Sequence, residues 1–284
     1  MDVRNLSGKA VLVTGAGSGI GRETALACAR RGADLYLCDI GKEGLDATVA
    51  DANALGRGRA QGHTVDVADA DRMQAFAEAV HAEIPGVDLL VNNAGVAIGG
   101  GFLDTSLPDW EWILGINTKG VIHGCHFFVP KMVERGAGGH VVNVASAAGL
   151  VATSELAAYC TTKFSVVGLS EALRDELLPH GIGVTAICPG LINTPITRAA
   201  KLVGDESTPE FRQAMIETYE KRAYTPERVA TNILKAVQKN RAVAPVAAEA
   251  WFLYYAKRWF PGALARLARL SREKGRERMG LPPR

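Results

Sequence analysis

Short apolar runs rich in β-branched residues alternate with longer segments of helical periodicity through the first two-thirds of the chain. This alternation predicts parallel strands joined by crossover helices, and runs that are apolar nearly throughout suit strands covered on both faces. We therefore expect one doubly wound α/β domain with about seven parallel strands and helices on both faces. The predicted strands are 10–13, 34–38, 61–65, 89–92, 140–144, 183–187 and 242–246, and the predicted helices are 20–31, 43–55, 69–83, 109–135 and 156–179.

A glycine-rich loop follows the first predicted strand and opens a helix. Gly15, Gly19 and Gly21 form the spacing G-x-x-x-G-x-G, with Ser18 and Ile20 between them. Glycines let the backbone turn sharply and let a pyrophosphate approach the helix N-terminus, where free N–H groups and the helix dipole favour anions. No Gly-Lys-Ser/Thr follows, so this is not a Walker loop. We interpret these five residues as cofactor contacts, and the alternative is a plain tight turn.

An acidic residue ends the second predicted strand. Asp39 lies eighteen residues after Gly21. A carboxylate at this separation can accept hydrogen bonds from both hydroxyls of an adenosine ribose, and it would repel a 2′-phosphate. The alternative is that Asp39 only terminates its strand, as aspartate often does. Together, the glycine loop and Asp39 favour a dinucleotide site.

Three residues suggest proton-transfer chemistry. Tyr159 and Lys163 are four residues apart in a predicted helix, so their side chains share one face. A free tyrosine titrates near about 10, and a nearby ammonium would lower this pKa and make Tyr159 a usable general acid or base. Ser146 ends the fifth strand, where a doubly wound sheet has its active-site crevice, and its hydroxyl can hold a substrate oxygen. A chance Tyr-Lys pair on a surface helix is the alternative.

Further motifs accompany these residues in a fixed order. The series is Thr14-Gly15-x3-Gly19-Ile20-Gly21, Asn92-Asn93-Ala94-Gly95, Asn117, Ser146, Tyr159-x3-Lys163 and Pro189-Gly190. In this order and at these separations the chain resembles the short-chain dehydrogenase/reductase family, over roughly residues 8–245. The resemblance implies a Rossmann-type fold and an oxidoreductase that acts on CH–OH groups with a nicotinamide cofactor.

The resemblance also implies a role for each matched residue. Tyr159 would transfer the proton and Ser146 would orient the carbonyl or alcohol. Lys163 would bind the nicotinamide ribose and tune Tyr159, and Asn117 would hold a water that links Lys163 to solvent. The remaining expected cofactor contacts are Asp66 and Val67 at the adenine, Asn93, Ala94 and Gly95 on the adenosine side, and Ile192 and Thr194, after Pro189 and Gly190, at the nicotinamide carboxamide.

Two positions bear on the choice between NAD and NADP. Members of the family that prefer NADP often carry Arg or Lys just before the middle glycine or just after the second strand. Ser18 and Ile40 occupy these places here. Together with Asp39 they favour NAD as the cofactor over NADP. Lys42 is close enough in sequence to be an alternative ligand for a 2′-phosphate.

The chain changes character after the last of these motifs. Residues 191–222 are mixed and polar, and we expect them to form a helical flap within a catalytic domain of residues 1–250. Residues 251–284 form an aromatic, basic extension: 257–284 hold nine Lys and Arg against two Glu, whereas 1–256 have a net charge of 23 − 28 = −5. Basic amphipathic helices with Trp and Tyr suit anionic membrane surfaces, so peripheral membrane contact is one hypothesis. Packing over the substrate pocket or a partner subunit is the other.

Other partners and sites find little support in the sequence. His123 and His126 lack further ligands at suitable spacing, so we expect no metal. The five scattered cysteines suit a reducing cytosol, and no segment has the length of apolar sequence that a membrane span needs. A basic surface confined to the tail argues against nucleic acid. We expect a cytoplasmic protein, with a membrane-peripheral location if the tail binds lipid.

The most direct functional hypothesis is an NAD(H)-dependent oxidoreductase that interconverts a secondary alcohol and a ketone, with Tyr159 as general acid/base. The small-molecule substrate is expected to be apolar, because 96–98, 147–151 and the flap offer few charges. Alternatives are an NADPH-dependent 3-oxoacyl reductase, a non-catalytic nucleotide-sensing protein of the same fold, and a membrane-surface binding module. The family resemblance also implies a homodimer or homotetramer formed through the two long helices.

Overall fold

A central sheet of parallel strands organises the protein. We describe it from a computed structural model, which covers residues 1–222 and 224–278. Seven strands form this sheet in the order β3-β2-β1-β4-β6-β7-β9, while β5 and β8 form a separate parallel pair. The strands of the described residues are β1 (Ala10–Thr14), β2 (Asp34–Asp39), β3 (Ala60–Thr64), β4 (Leu89–Asn92), β5 (Ile98–Gly99), β6 (Gly139–Val144), β7 (Ile182–Pro189), β8 (Lys201–Leu202) and β9 (Val243–Val246).

Helices cover both faces of this sheet, so the predicted doubly wound α/β class is confirmed. Each of the seven predicted strands is present, with ends within two residues of those expected. The α-helices of the described residues are α1 (Gly19–Ala29), α2 (Lys42–Ala54), α3 (Ala70–Glu83), α4 (Leu107–Leu114), α5 (Gly120–Arg135), α6 (Ala157–Leu177), α7 (Pro195–Ala199), α8 (Pro209–Arg222), α9 (Pro226–Gln238), α10 (Ala248–Trp259) and α11 (Pro261–Arg278).

Successive residues of each strand alternate between two hydrophobic cores. Val11 and Val13 of β1 belong to the core that contains α1, α2 and α9. Leu12 lies in the opposite core, against α3, α5 and α6. Alternation follows from the two-residue period of a strand, and both cores exclude water from the sheet. This is why β1 at the centre is buried along its whole length, whereas β3 at the edge of the sheet carries Gln61 and His63.

The strand order reverses at the centre of the sheet. From β1 the chain first moves outward through β2 and β3, and it then returns to add β4 on the other side of β1. The loops after β1 and β4 therefore leave the sheet in opposite directions, and a crevice opens at their carboxyl ends. Thr14 and Asn92 are the last residues of these two strands.

The predicted helix over 109–135 is interrupted in the structure. Between α4 and α5 the backbone forms one π-helical turn, Gly115–Lys119. The side chain of Asn117 in this turn is completely buried. Its Oδ1 accepts from Val96 N at 2.8 Å, and its Nδ2 donates to Val96 O at 2.9 Å and to Thr162 Oγ1 at 3.1 Å. Asn117 thus ties the loop after β4 to α6, and the π turn accommodates it, as such turns often do near functional sites.

Gly124 provides a test of how closely α5 packs on the sheet. A Cβ built there would lie 2.0 Å from Oδ1 of Asn92, whose Nδ2 donates to Asn143 at 2.9 Å. Gly124→Ala is therefore expected to lower the free energy of unfolding by about 1–3 kcal/mol. The matched control is Gly168→Ala in α6, where no atom lies within 4 Å of an added Cβ. Chemical denaturation should show no loss in this control, and equal stability of the two variants would contradict the packing described.

Candidate active site

A cleft of about 1000 Å³ opens at the carboxyl ends of the central strands. The topology brings to it residues from the carboxyl ends of six strands, β1 to β4, β6 and β7, because parallel strands all end at the same edge of the sheet. The predicted site residues that line it are Gly15, Ser18, Gly19, Ile20, Asp39, Asp66, Val67, Asn93, Ala94, Gly95, Ser146, Tyr159, Lys163, Pro189, Gly190, Ile192 and Thr194.

Two predicted site residues lie behind the wall of this cleft. Gly21 is buried under the loop, and a Cβ there would lie 2.1 Å from the carbonyl oxygen of Gly15. Its lack of a side chain lets α1 pack against the loop, and a cofactor contact at Gly21 stays a prediction. Asn117 is the second, since its amide bonds to Val96 and Thr162. A water held by Asn117 stays a prediction.

The glycine loop is shaped to receive an anion. Gly15 has φ +65°, and a Cβ on it would lie 2.7 Å from Cα of Ala94, so both conformation and space require glycine. Ser18 precedes α1 without a side-chain cap, and the first turn of α1 contains no acidic residue. The N–H groups and the positive end of the helix dipole are thus left for a ligand. These residues fit the pyrophosphate of a dinucleotide.

Thr14 and Asn93 hold the glycine loop in place. The Thr14 hydroxyl oxygen accepts from the backbone N–H of Asn93 and of Ala94, both at 3.0 Å. In return, Asn93 Nδ2 donates to the carbonyl oxygens of Thr14 at 2.9 Å and Gly15 at 3.1 Å. Sequence analysis noted Thr14 only as part of a motif and gave it no role. Its position as the last residue of a strand before the loop was the available signal.

Asp39 is placed so that either of the two roles considered for it is possible. Its carboxylate accepts from the N–H of Gly17 and of Gly41, each at 2.8 Å, and so fixes the loops on both sides. The residue also lines the cleft beside the glycine loop. Each oxygen can accept a further hydrogen bond, which fits a ribose diol. Lys42, the alternative phosphate ligand, instead forms an ion pair with Asp46 at 2.6 Å.

Asp66 and His123 both stabilise the loop after β3. Asp66 accepts from Ala68 N at 2.9 Å, which shapes the loop after β3. His123 Nδ1 lies 2.8 Å from the carbonyl oxygen of Val67, so its ring braces this loop from α5. In the described part of the chain, no group of three or more His, Cys, Asp or Glu is placed to hold a metal ion.

Lys163 is buried at the base of the cleft. The residue is 4% exposed, and its Nζ donates to Val144 O at 3.1 Å. It also lies 5.6 Å from the ring centroid of Tyr159. Burial removes water from the ammonium and lowers the pKa of Lys163 to about 8. The amine is therefore held where small changes in its surroundings alter its charge.

Tyr159 differs from the expectation in one respect. Burial raises its pKa to about 12, although a hydrogen bond with Ser146 lowers it. We predicted a lowered pKa because a neighbouring ammonium stabilises phenolate. Desolvation dominates instead, since burial penalises the charged forms of both residues. The hydroxyl is therefore a proton donor at rest, and it needs further positive charge to become a base.

Glu249 completes the far end of the site and was missed by sequence analysis. Its Oε1 accepts from Leu191 N at 3.1 Å and holds the loop after β7, and Gly190 N donates to Val246 O at 3.0 Å. A Cβ on Gly190 would lie 2.5 Å from this oxygen. Glu249 belongs to the first turn of a helix after the last strand, and only this position could have indicated it.

The flap and the tail form the remaining wall. Helix α8 of the flap contributes Met215 and Tyr219, and α10 contributes Phe252 and Leu253. The domain boundary that we placed at 250 falls inside α10. Part of the aromatic segment thus packs over the pocket, as one of the two interpretations of the tail predicted. No helix among residues 1–222 and 224–278 has the length and apolar character that a membrane crossing requires.

The parallel sheet, the glycine loop and the Ser-Tyr-Lys cluster at its crevice define a Rossmann-type α/β protein. The family model for short chain dehydrogenases matches residues 9–202. The chain belongs to the short-chain dehydrogenase/reductase family. Its resemblance to individual proteins extends further along the sequence than this family model.

Of three similar proteins, two match a much larger part of the chain than the family model does. Over 264 residues the chain is 44% identical to the "Probable oxidoreductase EphD" of Mycobacterium tuberculosis; the match covers 92% of this chain and 44% of that protein, so the chain spans under half of its relative's length. It is 43% identical over 195 residues to the D-threitol dehydrogenase of Mycolicibacterium smegmatis, and this match covers 69% of this chain and 74% of that protein. A short-chain dehydrogenase/reductase from Burkholderia phymatum, solved in complex with NAD, superposes on this chain with a TM-score of 0.76 and 29% sequence identity. The superposition covers 99% of this chain and 98% of that structure.

The buried Lys163 leads to a prediction about stability. Its pKa is 10.5 when solvated and about 8 when folded, so below pH 8 folding must bury a charge. Lys163→Met removes this penalty, and the cofactor-free variant should be more stable at pH 7, by on the order of 3 kcal/mol at most. Between pH 8 and 10.5 Lys163 keeps its proton only in the unfolded wild type. The free energy of unfolding of the wild type therefore rises with pH in this range, and the stability advantage of the variant becomes smaller. Urea unfolding across this range measures both. A variant less stable than wild type at pH 7 would contradict the prediction.

Proposed function

We propose that the protein is an NAD(H)-dependent oxidoreductase that interconverts a secondary alcohol and a ketone. The observation that carries this proposal is the cluster of Ser146, Tyr159 and Lys163 at the base of a cleft whose other end is the glycine loop. A nicotinamide, when bound, supplies the hydride acceptor or donor. The residues of the chain then have to bind the substrate oxygen, move its proton and exclude water.

Tyr159 is proposed as the general acid/base. In ketone reduction its neutral hydroxyl, with a pKa that burial raises to about 12, donates a proton to the substrate oxygen. In alcohol oxidation it accepts that proton, and the Lys163 ammonium on the same face of α6 stabilises the phenolate that results. Ser146 accepts from Ala148 N at 3.1 Å and hydrogen-bonds with Tyr159, so its hydroxyl is held where it can donate to a substrate oxygen bound beside Tyr159.

NAD is the proposed cofactor. Asp39 places a carboxylate in the cleft next to the glycine loop, where a 2′-phosphate would meet like charge. Ile40 beside it is 70% exposed and offers no cation. Lys42 is engaged with Asp46 on α2. The NAD complex of the structural neighbour from Burkholderia phymatum supports the same choice.

An apolar substrate is proposed because the cleft wall above Tyr159 carries few charges. Val96 and Ile98 line one side, and Met215, Leu253 and Leu264 line the other. Burial of an aliphatic substrate against such a wall is favoured by about 25 cal/mol per Å² of apolar surface. These five side chains offer a polyol no hydrogen bonds, although Tyr219 and Glu249 also line the cleft. A panel of long-chain and polyhydroxylated alcohols, followed at the nicotinamide absorbance, distinguishes the two substrate classes.

We also propose a homo-oligomer through the two long helices. Ile122 of α5 and Phe164 of α6 are 44% and 40% exposed. Large apolar side chains at this exposure on neighbouring helices favour contact with another subunit.

Tyr159→Phe tests the catalytic proposal directly. The variant keeps the ring and loses only the hydroxyl, so turnover should fall by about 10²–10⁴-fold while NAD affinity is retained. The matched control is Tyr224→Phe, which removes a hydroxyl that accepts from Asn232 at 3.1 Å and does not line the cleft. Steady-state kinetics and NAD titration measure both effects. If Tyr159→Phe keeps more than a tenth of the turnover, Tyr159 is not the proton-transfer group.

Asp39→Ala tests the cofactor proposal. Removing the carboxylate should narrow the preference for NAD, and adding Ile40→Arg should shift it toward NADP by giving the phosphate a planar cationic partner. Comparison of kcat/KM with both cofactors measures the change. Asp46→Ala is the control, because it leaves the cleft intact and frees Lys42. Wild type that uses NADP at least as well as NAD would refute the proposal, and a gain of NADP use in Asp46→Ala would identify Lys42 as a phosphate ligand.

A further inference from the structure

The last two helices expose an unusual set of side chains. Four aromatic residues of α10 and the turn after it are more than half exposed: Phe252 at 63%, Tyr255 at 52%, Trp259 at 73% and Phe260 at 69%. With Trp251 and Ala256 they line a shallow groove of about 310 Å³ that is almost entirely apolar. We call this surface the aromatic face. Soluble proteins rarely expose so many large aromatic side chains together unless the surface binds something.

The charged residues in the segment that forms the aromatic face are all basic. From residue 250 to residue 272 the sequence contains five Lys and Arg and no Asp or Glu. Lys257 and Arg266 are exposed in the structure, and Arg258 stacks on Tyr254 at 4.7 Å. The rest of the chain is mildly acidic. Trp and Tyr beside Lys and Arg are the combination that binds at the interface of an anionic bilayer.

The aromatic face is continuous with the cleft. Phe252 lines both the groove and the cleft that contains Tyr159. Leu264 and Leu267 of α11 line the cleft as well, and Leu267 is 57% exposed at its outer edge. An apolar molecule could therefore pass from the aromatic face into the cleft along side chains that are apolar throughout.

We propose that the aromatic face of α10 and α11 docks on an anionic lipid bilayer, so that the cleft opens toward the membrane and takes its apolar substrate from it. Docking stands on the exposed aromatic and basic residues alone. The supply of substrate from the bilayer rests on the proposed function. A second copy of the chain is the competing occupant, and its isologous contact would bring two basic segments close together.

Vesicle cosedimentation of the full chain tests docking. Wild type should bind vesicles of phosphatidylcholine mixed with phosphatidylglycerol and bind pure phosphatidylcholine much more weakly. The double variant Trp259→Ser with Phe260→Ser should lose at least about tenfold in binding, since two large apolar side chains no longer leave water. Lys257→Gln with Arg266→Gln should lose several-fold, and added salt should have the same effect on wild type.

The matched control is Leu178→Ser. Leu178 is 66% exposed but follows α6 at the opposite edge of the sheet from the cleft, so its replacement should leave vesicle binding unchanged. Wild type that fails to bind the mixed vesicles overturns the proposal. So does a double variant that binds as wild type does. If wild type does not bind vesicles, and sedimentation velocity shows that wild type is an oligomer and the double variant is not, the aromatic face is a subunit contact instead.

The supply of substrate is tested with two ketones. Trp259 and Phe260 do not line the cleft, so the double variant should reduce a short, water-soluble ketone as wild type does and a long-chain ketone dissolved in vesicles several-fold more slowly. Equal rates with the vesicle-dissolved ketone would overturn the supply route. No turnover of either ketone by wild type would overturn the proposed function, and the supply route with it, whereas docking is decided by cosedimentation.

Discussion

The hydrogen bonds between Thr14 and Asn93 join the two strands between which the cleft opens. One hydroxyl receives two backbone N–H groups from the β4 loop, and one side-chain amide returns two bonds to the β1 loop. The glycine loop therefore cannot shift relative to the centre of the sheet without leaving several polar groups unpaired, at about 1–3 kcal/mol each. The start of α1 and the contact between Gly17 and Asp39 both depend on this position.

The cluster of Ser146, Tyr159 and Lys163 lies in a region that disfavours charge. Burial lowers the pKa of Lys163 to about 8 and raises the pKa of Tyr159 to about 12, so both residues are pushed toward their neutral forms. Opposed shifts of this kind are typical of functional sites, where stability is given up for reactivity. The same low polarity strengthens any interaction with a charge that develops on the substrate oxygen. Tyr159 and Lys163 are thus held in place in surroundings that favour the neutral form of each.

Much of this protein could be predicted from the sequence because its signals are local. Each strand is a short apolar run, and the glycine spacing is tied to backbone geometry within one loop. The contacts that were missed depend on residues distant in sequence. In the π turn, Asn117 forms hydrogen bonds with Val96 and Thr162, and Glu249 accepts a hydrogen bond from Leu191. The pKa of Tyr159 was predicted with the wrong sign because desolvation depends on the whole surrounding fold, whereas the nearby lysine is visible four residues away.

Glu249 makes one wall of the site depend on a helix that follows β9. Its carboxylate holds the loop after β7, and the helices that follow β9 supply one wall of the cleft. A ribosome releases the chain from its N-terminus, and domains begin to fold as they emerge. Strands β1 to β7 can therefore assemble while α10 is still inside the ribosome. The sheet can therefore form first and the closed cleft later, so during synthesis the apolar pocket stays open to water until α10 has emerged.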